Sequence, residues 1–321
     1  MLLPLLFAAA LAADDTPRAP APQTIAPGVT LIAGAMYPGR GPDGNTVIFD
    51  APDGLVVVDT GRHVWHSDAI LAFARERDEP IDSIINTHWH LDHASGNRRL
   101  KAVFPNATIF ATDAVDRTLE PGGFLERNVA NARARAAAPD VGAVEREERE
   151  NFLATMDASR FLRPTLSMQE SGRYNFARRR LDVHISTGAV TDADIWLYDR
   201  RSRVAVLGDL VTFPSPFFET ACPDQWRAEL DRVWATPFRI AIPGHGAPMT
   251  RAQFDIYRHA FGAFMDCVDS EADAGACAAI WSEGVATLSS VADLSEATEY
   301  ATYYVGYLRE NGGKAPTCLS S

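Results

Sequence analysis

The chain has 321 residues, with 30 Lys and Arg against 42 Asp and Glu, for a formal charge of −12. At 46% hydrophobic and 22% charged residues, its composition is that of a globular protein with a sizeable core. An acidic chain meets a polyanion against its own field, which argues against nucleic acid as a partner, and no run after the N-terminus reaches the roughly 18 apolar residues of a membrane span.

Met1–Ala13 is apolar but too short to cross a bilayer. Ala10-Leu11-Ala12, followed by Asp14-Asp15, has the small-x-small form of a signal-peptidase site. The expectation is an export signal over residues 1–13, which predicts a periplasmic or secreted protein. An N-terminal helix packed on the fold is the alternative, because the segment carries no Lys or Arg. Residues 14–27 hold four prolines and read as an extended linker into a main domain over 28–250.

Short β-rich runs come first, at Val29–Met36, Thr46–Asp50 and Leu55–Asp59, divided by Gly/Pro/Asp turns. His66–Asp78 has helical spacing, Ile81–Asn86 is a strand ending in Thr87-His88, and Ala107–Ala111 is another. Asp113–Ala136 reads as one long helix behind an Asp cap. Residues 139–180 read as a helical insertion able to wall a cleft, and the charge run Glu145–Glu150 within it as a solvated helix face. Strands resume at Leu181–Thr187, Ile195–Asp199 and Val204–Leu207, with a helix at Gln225–Ala235 and a strand at Arg239–Ile242. The region 251–321 reads as a helical extension packed on the same domain, with Phe254, Tyr257, Phe261, Phe264 and Met265 as a core stripe. Two successive β-then-α blocks predict a layered α/β sandwich. The four cysteines, Cys222, Cys267, Cys277 and Cys318, allow two bridges in three connectivities. Export favours disulfides, and the spacing gives the cysteines no zinc or catalytic role.

The chemistry gathers at strand ends. His88-Trp89-His90-Leu91-Asp92-His93 places four metal-capable groups in six residues directly after a strand. In a loop leaving a strand, positions i and i+2 can face one way, so His88 and His90 can share an ion while Asp92 and His93 turn towards a second. Imidazoles and a carboxylate without thiolate suit Zn²⁺ best, ahead of Fe or Mn.

With Asp59-Thr60-Gly61, Gly208-Asp209 and Pro243-Gly244-His245-Gly246 in order around that motif, the chain from about Ile25 to Pro248 resembles the metallo-β-lactamase fold superfamily of zinc hydrolases. The resemblance implies a four-layer αβ/βα sandwich with the metals at one edge between the sheets. It implies that His88 and His90 hold one zinc, that Asp92, His93 and His245 hold another, and that Asp209 bridges them. Asp59 would orient the histidine loop, and Asp92 and Asp209 would be the catalytic carboxylates. The family's third histidine of the first site falls on Val190 in Gly188-Ala189-Val190-Thr191, and an isopropyl group cannot coordinate zinc. One or two zinc ions per chain are therefore expected. His184, six residues upstream, is a weak substitute on a strand face, and His63 and His66 are candidates for substrate contact.

In the family, metal-activated water attacks a carbonyl or phosphorus. Asp209 at the bridging position resembles the branches that act on esters, thioesters, lactones or phosphodiesters, and an ester, thioester or lactone of a small molecule is the expected substrate. β-Lactam cleavage is the runner-up, because those branches lack that carboxylate. His90 disfavours the di-iron electron-transfer branch, and export with a charge of −12 disfavours RNA processing. A ligand-binding protein that has lost catalysis is the rival reading, and Val190 is the residue in its favour.

Overall fold

A computed structural model describes residues 17–316 and Cys318; the expected export signal and the first residues of the linker lie outside that range. Seven strands form the first sheet in sequence order: β1 (Gln23–Ala26), β2 (Val29–Ile32), β3 (Thr46–Ala51), β4 (Gly54–Val58), β5 (Ile81–Ile85), β6 (Thr108–Ala111) and β7 (Leu166–Ser167). Between β4 and β5 runs α1 (Val64–Glu76). Between β5 and β6 come α2 (Leu91–Ala94) and α3 (Asn97–Val103), and between β6 and β7 come α4 (Ala114–Leu119), α5 (Glu126–Ala137) and α6 (Ala143–Asp157). The second sheet has the order β13-β12-β11-β10-β9-β8, from β8 (Gly172–Phe176), β9 (Arg179–Thr187), β10 (Ala193–Asp199), β11 (Val204–Val206), β12 (Ile240–Ile242) and β13 (Met249–Thr250). Its helices are α7 (Pro223–Ala235), α8 (Arg251–Val268), α9 (Ala274–Gly284) and α10 (Val291–Glu310).

Side-chain alternation builds the layers. On β4, Val56 and Val58 point into the space between the sheets, where they meet Leu181, Val183, Ile195, Leu197 and Val206 of the second sheet. Leu55 and Val57 point the other way, onto Ile70, Leu71 and Ala74 of α1 and Leu100 of α3. The outer face of the second sheet, through Trp196, Tyr198, Ala205 and Ala241, packs on the C-terminal helices and buries Phe254, Tyr257, Phe261, Phe264 and Met265 as core. The result is helix, sheet, sheet, helix. Each fully buried aliphatic side chain stabilises this by about 1.5–3 kcal/mol.

Three expectations need correction. The helix expected over Asp113–Ala136 is two, because Pro121-Gly122-Gly123 interrupts it, and Asp113 makes no side-chain cap bond. The insertion is helical only as far as Phe161; Leu166–Ser167 closes the first sheet and Gly172–Phe176 opens the second. The charge run of α6 is only partly a solvated face. Glu147 is 58% exposed, but Glu148 is 14% exposed and lies against the Arg40–His63 region.

Two disulfides join Cys222 to Cys318 and Cys267 to Cys277. Cys267 and Cys277 staple α8 to α9, while Cys318 ties the C-terminus to the residue before α7. Among the described residues no helix is long and apolar enough to cross a membrane.

Candidate metal centre

Most strand pairs are antiparallel, but β5–β6 and β6–β7 are parallel, and so are the two pairs that carry the site, β4–β5 and β11–β12. The carboxyl ends of these two pairs converge, which is where open α/β sheets place their ligands. Asp59 leaves β4, Thr87-His88 leaves β5, Gly208-Asp209 leaves β11 and Gly244-His245 leaves β12. A backbone bond from Ile195 N to Thr87 O joins the two sheets there at 2.6 Å.

Two groups of donor atoms result, His88–His90–Asp209 and Asp92–His93–His245, each within 4.8 Å. Asp209 faces both. Its Oδ2 lies 3.4 Å from His88 Nε2 and 3.7 Å from His90 Nδ1, while its Oδ1 lies 3.1 Å from His93 Nε2 and 3.5 Å from His245 Nε2. His245 Nε2 is also 2.9 Å from Asp92 Oδ2. The structure thus brings together His88, His90, Asp92, His93, Asp209 and His245.

Asp59 sits behind them. Its carboxylate accepts from Thr87 N and Thr87 Oγ1 at 2.8 and 2.7 Å and meets His93 Nδ1 at 2.8 Å, which leaves Nε2 of His93 for the centre. Asp59 has a φ of 60°, a left-handed backbone that swings the chain off β4 and under the histidine loop. Two glycines allow the close packing. A Cβ on Gly44 would stand 2.4 Å from the His93 ring, and one on Gly244 would stand 2.0 Å from Asp209 Oδ1.

The electrostatics call for cations. Burial opposes charge on His93 and His245, yet the Asp209 and Asp92 carboxylates, joined at His93 by Asp59, outweigh it and raise both pKa values. Burial would raise Asp92 and Asp209, but the histidines hold both below the usual carboxylate range. His90 moves down, from burial and from His88 beside it. His93 Nε2 faces His245 Nε2 at 3.2 Å, a contact that needs a proton or a metal between the lone pairs. His88 Nε2 and Asp209 Oδ1 are buried without hydrogen-bond partners. Mixed imidazole and carboxylate donors in this state fit a divalent metal.

Other expectations fall away. His63 and His66 are buried structural residues, not substrate contacts. His63 is held between Asp43 Oδ2 and Glu148 Oε1 at 2.9 Å each, and His66 Nε2 is 2.8 Å from Thr46 Oγ1. His184 stacks flat on Trp196 at 3.7 Å between ring centroids and joins neither donor group; burial pushes its pKa down to about 4. Val190 is 1% exposed, with its side chain in the core of the second sheet and helices. Its turn is held by Asp194, whose carboxylate accepts from Val190 N and from Thr191 N and Oγ1.

Some supporting residues escaped the sequence reading. Thr220 Oγ1 donates to Val190 O at 2.8 Å and lies 3.1 Å from His90 Nε2, which leaves Nδ1 of His90 towards Asp209. Asn45 Nδ2 donates to Pro243 O and Gly246 O at 2.9 Å each, tying the loop after β2 to the His245 turn. Arg62 reaches to 3.9 Å from Asp92.

Residues 39–245 match the family model described as Metallo-beta-lactamase superfamily. The chain belongs to the metallo-beta-lactamase superfamily. A linear primary-alkylsulfatase from Pseudomonas sp. is 26% identical over 221 residues, covering 63% of this chain and 41% of the relative. A hydroxyacylglutathione hydrolase from Synechococcus sp. is 43% identical over 56 residues, covering 17% of this chain and 21% of the relative. The chain thus spans less than half the length of either curated relative. Both are named as hydrolytic enzymes.

Solved structures of the superfamily share the fold. A metallo-beta-lactamase from Pontibacter korlensis aligns with a TM-score of 0.52 at 15% identity, over 73% of this chain and 94% of the other. One from Hirschia baltica gives a TM-score of 0.52 at 18% identity, over 74% and 95%.

Proposed function

We propose that the chain is an exported, zinc-dependent hydrolase of esters, thioesters or lactones of small molecules. The observation that carries this is Asp209, a buried carboxylate whose two oxygens face separate histidine groups. In this reading His88, His90 and Asp209 hold one zinc, Asp92, His93 and His245 hold a second, and Asp59 orients His93. A bound zinc supplies a Lewis acid for the substrate oxygen and a nucleophilic water near neutral pH.

The chain's own residues do the rest. The Asp59–His93 and Thr220–His90 contacts fix ring orientation and tautomer. Gly44 and Gly244 let their loops pack directly on His93 and Asp209. Val190 stands where the third ligand of the first site would come from, so that site keeps three protein donors and an open position, a known form of catalytic zinc site. The named activities of the two relatives, on an alkyl sulfate and an acylglutathione, favour ester-like bonds over β-lactams. Two disulfides favour an oxidising compartment and so support export. This reading keeps a core with an extension over 251–321, but the core begins before residue 28, because β1 (Gln23–Ala26), inside the expected linker 14–27, pairs with β2.

The test is zinc content per chain after purification without chelator, followed by assay on esters, thioesters and lactones. The expected outcome is turnover that chelators abolish and Zn²⁺ restores. Zinc-loaded protein that turns over none of these bonds overturns the hydrolase reading and leaves a ligand-binding protein in its place.

A further inference from the structure

Beside the first donor group lies a cavity of about 170 Å³, lined by Trp89, Arg117, Phe124, Arg127, Asp192 and Thr220 among others. Two of these residues attach it to the centre. The Trp89 ring stands edge-on to His90 at 4.7 Å, and Thr220 Oγ1 is 3.1 Å from His90 Nε2. Nothing in the chemistry above uses the rest of the cavity.

Its walls differ in kind. Trp89 and Phe124 approach with ring centroids 5.5 Å apart and form an apolar side. On the rim, Arg117 Nε donates to Asp192 at 3.0 Å, so that pair is neutral. Arg127 lies over the Phe124 ring at 5.3 Å and has no carboxylate partner among the described residues. The ionised groups on the lining therefore sum to one positive charge, in a chain whose formal charge is −12. Trp89 also holds its indole N–H buried without an acceptor, the kind of donor that a bound acceptor completes. The cavity is roomy enough for more than one ordered water and so for a short acyl chain.

We infer that this cavity selects substrates whose acyl part ends in an acid group, with a short stem against Trp89 and Phe124 and the anion paired with Arg127. Arg127 is a specificity residue, remote from the reacting bond. This inference rests on the hydrolase reading, and the experiment separates the two. Mono-4-nitrophenyl glutarate and its methyl ester differ only in the remote charge. The ratio of kcat/KM for the acid over the methyl ester is measured with zinc-loaded protein, for the wild type and for Arg127→Ala and Arg127→Lys.

The wild type is expected to favour the acid, Arg127→Ala to lose that ratio by roughly tenfold, and Arg127→Lys to keep most of it. A wild type without preference, or a ratio unchanged in Arg127→Ala, overturns the inference while leaving the hydrolase standing. If neither ester is hydrolysed, the hydrolase reading is decided by the wider ester, thioester and lactone panel, and free glutarate titrated by calorimetry decides the cavity alone. Binding weakened roughly tenfold by Arg127→Ala supports it; absent binding, or equal binding in both proteins, overturns it.

Discussion

Glu148→Gln should cost more stability in weak acid than in base. Glu148 Oε1 meets His63 Nε2 at 2.9 Å and Arg40 Nη1 at 3.2 Å, and its Oε2 accepts from Gly41 N at 3.1 Å. Asp43 takes the other side of His63 and also accepts from Arg62 N and Trp65 Nε1, while Trp65 stacks on His63 and His66 lies nearby. Burial lowers the His63 pKa, but its bonds to Asp43 and Glu148 outweigh this and raise it above 6.5. Burial raises Asp43 and Glu148, but His63 brings both down. The histidine's share of stability is therefore complete below about pH 6.5 and is lost as pH rises through its raised value. The carboxylates' share is present above about pH 4.5 and is lost as pH falls through their lowered values. Together they place the maximum in weak acid.

A charge-assisted hydrogen bond contributes about 1.5–3 kcal/mol and a neutral one about 1. Glutamine keeps the shape and loses the charge, so the loss near pH 6 should be about 1–2 kcal/mol. In base, at a pH past the raised His63 value, it should fall to roughly half, since the Arg40 contact persists. Urea unfolding of both proteins at the two pH values, at fixed zinc, measures the difference. A loss that is equal at both would refute the charged His63, and no loss at either would refute the clamp.

Thr220→Val removes the oxygen that orients His90, and zinc affinity should fall by about 10- to 100-fold in a competitive chelator titration, with Thr220→Ser retaining most of it. The two disulfides close loops of different length, with sequence separations of 96 and 10 residues. Loop-closure entropy then predicts a loss of about 4.7 kcal/mol for Cys222→Ala/Cys318→Ala and about 2.7 kcal/mol for Cys267→Ala/Cys277→Ala. Denaturant unfolding of the two double variants tests that order, and a reversal would sink it.

What was legible in the sequence was what is local in the chain. His88, His90, Asp92 and His93 fall within six residues because one loop carries them, and the continuous apolar run Leu55–Val58 announces a strand buried on both faces. Pro121-Gly122-Gly123 is equally local, a break set between two stretches of helical spacing that together resemble one helix. Support for the site is built from distant pairs. Thr220 is 130 residues from His90, Asn45 is 198 from Pro243, and Glu148 is 85 from His63. No periodicity encodes such meetings. The run Glu145–Glu150 shows the same limit, since alternating charge marks a polar helix face and not whether a partner covers part of it.

The long-range pairs also explain why the C-terminal helices belong to the centre. The strand ends alone position Asp59, His88, Asp209 and His245, but His90 takes its orientation from Thr220, which no strand carries. The segment bearing Thr220 is fastened on both sides. Cys222 N donates to Ala189 O at 2.8 Å and its sulfur reaches Cys318, while Tyr303 Oη and Tyr307 Oη of α10 donate to Glu219 at 3.3 and 3.5 Å. Rigidity therefore passes from α10 and the C-terminal disulfide, through Glu219 and Cys222, to Thr220 and so to His90. In the proposed centre the second donor group is locked by Asp59 and by Gly44, which leaves the His93 ring no room to shift, whereas the first would have Val190 where a third imidazole would help fix the ion. A site with fewer ligands depends more on how firmly each is oriented. The helical extension supplies that orientation from the other side of the second sheet.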